Sequence, residues 1–99
     1  MRQITECDPI IDSNKNTFGV KDLIRYIVGK SAHFTQNFDA IERAQRIVDN
    51  LEKLTFAEGD WDTLCMACKT PTCSYPVDPP YLCGPLIRCV LEAKNVPNE

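Results

Sequence analysis

Four of the chain's six cysteines lie between Leu64 and Cys83, in LCMACKTPTCSYPVDPPYLC, together with four of its seven prolines. Cysteine thiolates hold zinc, and a structural site needs four converging ligands. Cys65, Cys68, Cys73 and Cys83 are the economical set, spaced C-x2-C-x4-C-x9-C. A zinc module built on them would grip protein or nucleic acid through residues 65–89. The spacing is not that of the common fingers or ribbons, and Met66-Ala67 are helix formers where a zinc knuckle needs a tight turn. A redox C-x-x-C opens a helix after a strand, where the helix dipole lowers the thiol pKa. Here the motif sits well inside a helical pattern. His33 is the only histidine, and no motif pairs it with a cysteine nucleophile. Gly19, Gly29, Gly59 and Gly84 are scattered and form no phosphate loop. The expectation is a protein without enzymatic activity.

The cysteines must be placed by the elements that carry them. On a helix opened by Asp60, Trp61, Leu64, Cys65 and Cys68 fall at i, i+3, i+4 and i+7, one stripe. Buried free cysteine behaves as a small hydrophobe, so this stripe predicts core thiols and no metal. Pro71 ends that helix. Upstream, Val20, Leu23, Ile24, Ile27 and Val28 form a complete amphipathic stripe. They predict a first helix over 18–28, capped by Thr17 and ended by a left-handed Gly29. Asp39 and Glu42 have cap-and-N3 spacing for a second helix of about 17 residues. Its seam is Ile41, Ala44, Val48 and Leu51, widened by Phe38, Ile47 and Leu54. Its outer face carries Glu42, Arg43, Arg46, Asp49, Glu52 and Lys53, with Glu42–Arg46 and Asp49–Lys53 as i,i+4 pairs. Pro85 opens a last helix that ends near Asn95.

Residues 1–16 hold few apolar groups and predict an extended arm, or a short edge strand, with turns at Asp8-Pro9 and over 12–16. No alternating run demands a sheet. The expected fold is mainly α: a single domain over 1–99, a small bundle of about four short helices with an extended arm and a proline-rich connection over 70–84.

That connection is long for a compact domain, which points to function or pinning. Its prolines make it stiff and cheap to order on binding. Tyr75, Tyr81 and Leu82 are candidate anchors, or else core pins, and Asp78 and Asp62 would give an acidic rim. Arg43 and Arg46 on helix two are the next candidate binding residues.

The net charge of −3 argues against broad nucleic-acid binding, which needs a basic face. Neither a signal peptide nor a membrane-spanning run is visible. The expectation is a complete, soluble, cytoplasmic product whose cysteines are reduced. A disulfide-stapled secreted domain is the remaining alternative.

The order of FGVKDLIRYIV, FDAIERAQRIVDNLEKL, AEGDWDTLCMAC and YPVDPPYLCGPLIRCVLEA resembles that of small bacteriophage-encoded helical accessory proteins. The resemblance covers most of residues 18–94 and rests on arrangement, with no motif that transfers a functional residue. It implies an adaptor, a virion accessory factor or an inhibitor of a host protein, acting in the host cytoplasm. The expected partner is therefore a protein: a host protein, a virion component or a further copy of the chain.

Overall fold

The first residues of the chain become the middle of a sheet. The computed structural model describes residues 1–97, and in it strand β1 (Arg2–Gln3) lies between β4 (Thr55–Phe56) and β5 (Lys94–Asn95), antiparallel to both. Strands β2 (Ile10–Ile11) and β3 (Thr17–Phe18) make a separate hairpin. Its loop is the turn expected over 12–16. The Asp12 carboxylate accepts from the Asn14 and Asn16 amides, and Lys15 takes a left-handed φ of 65°. The arm is thus not a lone extended strand. Ile4, just past β1, is 1% exposed and belongs to the core, which is why the segment is held rather than loose.

The rest is mainly α, as the periodicities predict: four helices, with 52% of residues helical and 10% in strands. They are α1 (Val20–Lys30), α2 (Phe38–Asp49), α3 (Glu58–Lys69) and α4 (Gly84–Leu91), with 3-10 turns at Ala32–Phe34 and Pro80–Cys83. The stripe on α1 is buried throughout. Its cap is Gly19 rather than Thr17, with Asp22 accepting from the Gly19 amide at 3.0 Å. Gly29 does not end the helix; it lies within α1, and no described glycine has positive φ.

Helix α2 is capped by Asn37, whose side chain accepts from the Ala40 amide at 2.8 Å, and not by Asp39. It stops at Asp49 because Asn50 folds back onto the Arg46 carbonyl and Leu54 turns left-handed with φ 53°. This return feeds β4 directly and places Leu51 and Leu54 in the core. Helix α3 begins at Glu58, so Asp60 lies inside its first turn and is not the cap. Helix α4 is shorter than expected because residues 94–95 pair with β1 instead.

One hydrophobic cluster joins all four helices, with Leu23, Ile24, Ile47, Leu64, Leu86 and Val90 among its fully buried members. Arg2 fastens the sheet to the helices. Its guanidinium holds Glu58 at 2.8 and 3.0 Å, donates to the Ala93 carbonyl at 3.2 Å, and lies 4.3 Å from the centre of the Trp61 ring. The Trp61 indole in turn donates to the Val90 carbonyl at 2.8 Å, tying α3 to α4. Glu58 has its carboxyl pushed below the usual range by that hydrogen bond from Arg2.

Candidate protein interface

The cysteine question resolves into positions. Cys65 and Cys68 are buried on α3 as their stripe predicts, and Cys83 is buried with them; Cys73 is half-buried. All six cysteines are free thiols. Cys65, Cys68, Cys73 and Cys83 are not gathered as zinc ligands: among the described residues, no three cysteine, histidine or carboxylate side chains converge on a common point. Burial pushes Cys65 up to about 11 and Cys68 up to about 12, which leaves both protonated at neutral pH. Such thiols are poor nucleophiles, since the thiolate is the reactive form. One neighbourhood escaped the sequence reading. Cys89 of α4 is pushed up to about 11, first by burial and then by a hydrogen bond with Cys7 of the arm.

The proline-rich connection is pinned more than displayed. The Tyr26 hydroxyl donates to the Ser74 carbonyl at 2.7 Å, Thr72 accepts from the Ala32 amide at 2.8 Å, and Val77 is buried. Tyr75 is half-buried; its hydroxyl donates to the Cys68 carbonyl at 3.3 Å, and burial followed by the neighbouring thiols pushes it up to about 12. Tyr75 therefore acts as a pin, and Leu82 packs against the core too. Only Tyr81 stands out, 79% exposed. Asp78 is exposed and accepts from the Ser13 hydroxyl. Asp62 lies on another face, beside Trp61, Met66 and Leu91.

Helix α2 is where expectation and structure part most. Arg43 and Arg46 both engage α3, although the Arg46 side chain stays 53% exposed. Arg46 grips the Asp60 carboxylate through two hydrogen bonds of 3.0 and 3.1 Å. Arg43 donates to the Gly59 carbonyl at 2.6 Å and to the Thr63 hydroxyl at 3.1 Å, and stands 3.7 Å from Asp60. Asp60 is 5% exposed, so these cations neutralise a carboxylate that would otherwise be buried alone. The expected Glu42–Arg46 partnership yields to this one.

The apolar seam is displaced to match. Ile47, Leu51 and Leu54 fill the core, while Phe38, Ile41 and Val48 are 73%, 53% and 40% exposed. The predicted seam through Ile41 and Val48 is one strip away from the true one. At 100° per residue, turning Ile47 inward and Arg46 toward α3 leaves Val48, Ile41 and Phe38 on the opposite flank. There Ile41 and Val48 border a shallow groove of about 430 Å³ against α1, floored by Val28, Gly29, Phe34 and Ala44, with Phe38 exposed outside it. A Cβ built on Gly29 meets nothing within 4 Å, so the groove floor is open at that point. Contiguous exposed apolar surface of this kind marks interaction sites more often than isolated exposed residues do. The available signal was an apolar arc on the expected second helix too wide for one buried strip: seven apolar positions, Phe38, Ile41, Ala44, Ile47, Val48, Leu51 and Leu54, span more than one face.

No described helix is long and apolar enough to cross a membrane. No family model matches the chain, and neither the curated proteins nor the solved structures contain a match to it.

Proposed function

We propose that the protein is a non-enzymatic accessory protein that works by binding another protein, and that the exposed apolar side of α2, with its groove against α1, is the binding face. The observation that carries this reading is the joint exposure of Phe38, Ile41 and Val48 on one flank of a helix whose other flank is fully engaged. Ile41 and Val48 are seven residues apart, with Phe38 one turn before Ile41, a spacing of branched aliphatic and aromatic anchors that helix-in-groove recognition uses. The high thiol pKa values of Cys65 and Cys68 fit structural rather than nucleophilic duty. Tyr81 is a secondary contact, while Arg43 and Arg46 support the fold of α2 and α3 rather than meeting a partner. The arrangement of elements, similar to phage-encoded accessory proteins, fits a protein partner: a host protein, a virion component or a further copy of the chain. Affinity capture from the native cell tests the reading, run in parallel with the wild type and with Phe38→Ser/Ile41→Ser. The expected outcome is a protein recovered by the wild type and lost with the variant. Recovery of the same proteins by both would move the binding face elsewhere, with Tyr81 the next surface to change.

A further inference from the structure

The groove has two edges of opposite sign. On the α1 side stands Arg25, 63% exposed, whose nearest carboxylate is its own helix neighbour Asp22 at 3.8 Å. On the far side of the apolar flank, helical geometry sets Glu42 and Asp49 next to Phe38 and Gln45, and both carboxylates are exposed. The flank thus runs from basic, through apolar, to acidic. That order matters for a two-fold pair. An axis along the groove lays the basic edge of each copy on the acidic edge of the other, so both edges are satisfied twice. The axis also sets Ile41 and Val48 of one copy over the open floor at Gly29 of the other.

We infer that the occupant of this face is a second copy of the chain, held as an isologous dimer with the α1–α2 grooves facing each other and Arg25 of each copy opposite Glu42 and Asp49 of its mate. A different partner would need its own acidic and basic edges in this order, whereas a second copy has them by construction. The 12-residue helix α2 is about 18 Å long, so the contact is small and the pair is weak and concentration-dependent.

The inference rests on the reading of this flank as a binding face. Sedimentation equilibrium under reducing conditions, from about 10 μM to about 1 mM to cover weak association, tests it. The wild type should rise from its monomer mass of 11.2 kDa toward the dimer. Arg25→Glu alone and Asp49→Lys alone should each remain monomeric through like-charge contact. Mixed in equal amounts they should associate again, since each reversed edge then meets its complement. Gly29→Phe fills the groove floor at a site with free space and should also remain monomeric, with an unchanged thermal transition. A wild type that stays at monomer mass throughout overturns the second copy alone, because the capture comparison can still succeed. A dimer undiminished by Arg25→Glu and by Gly29→Phe overturns both the inference and the assignment of the binding face. Failure of the mixture to associate, with both single variants monomeric and folded, overturns the facing of Arg25 on Asp49.

Discussion

The two flanks of α2 are built in opposite ways. Toward α3 the helix presents arginines, and they end up engaged with a buried carboxylate. Away from α3 it presents Ile41 and Val48, beside the α1 groove, and the outward Phe38, and all three are exposed. A helix read by hydropathy alone would be turned the other way. The difference teaches that a single buried acid can decide helix rotation. Leaving Asp60 unpaired in the core is more costly than exposing part of three apolar side chains, whose burial contributes roughly 25 cal/mol per Å².

If that comparison is right, substitutions on the two flanks must behave differently. The largest loss should come from Arg43→Ala/Arg46→Ala, which strips both cations from Asp60. Urea denaturation should show a fall in midpoint at least as large as that of any single core truncation, whereas Asp60→Asn introduced beside those alanines should recover part of it. A double variant as stable as the wild type would mean that Asp60 does not set the rotation of α2. Next in size, Leu51→Ala should cost about 2–5 kcal/mol, as truncation of a fully buried leucine does. Val48→Ala, only one strip away, should change stability by less than about 0.5 kcal/mol. Equal effects from the two would erase the contrast between the flanks.

The thiols sharpen the same contrast from the core side. Cys65→Ala/Cys68→Ala should destabilise by about 1–3 kcal/mol through lost packing. Their native pKa values, about 11 and about 12, lie above the ordinary 9.0. In the window between, the native state binds more protons than the unfolded state, so stability is full below about pH 9 and falls as pH rises toward 11–12. The double variant should flatten that alkaline limb, which equilibrium unfolding across pH 8–11 would reveal; an unchanged limb would assign it to Tyr75 and Cys89 instead. The smallest change concerns the groove floor. Gly29→Ala fits a helical position with open space around it and should stabilise the monomer by about 0.5–1 kcal/mol in thermal unfolding. A loss of stability there would show that the floor is closed.

Much of the fold was legible because it depends on local periodicity. The α1 stripe from Val20 to Val28 and the Trp61–Cys68 stripe on α3 have one apolar face each, so rotation follows from spacing. Helix α2 carries apolar groups on two faces, and its rotation is fixed by Asp60, fourteen residues beyond Arg46. Spacing within α2 cannot report that contact. The arm's expected short strand exists, but its central place in a sheet is hidden from the sequence for a similar reason. Arg2–Gln3 is too short to show alternation, and it becomes a strand only because Thr55–Phe56 and Lys94–Asn95 arrive on either side. The long connection did signal pinning, and Tyr75 and Val77 supply it. Phe38, Ile41 and Val48 are misplaced by spacing alone, because apolar residues on an amphipathic helix default to the core face.

The most direct measurement is a concentration series of backbone amide spectra recorded under reducing conditions. The account predicts that shifts and broadening appear as concentration rises and gather on Gly29, Ile41, Gln45 and Val48, with Arg46, Thr63 and the buried α3 cysteines unmoved. Spectra independent of concentration, or changes centred on Tyr81 and the proline-rich connection, would contradict it.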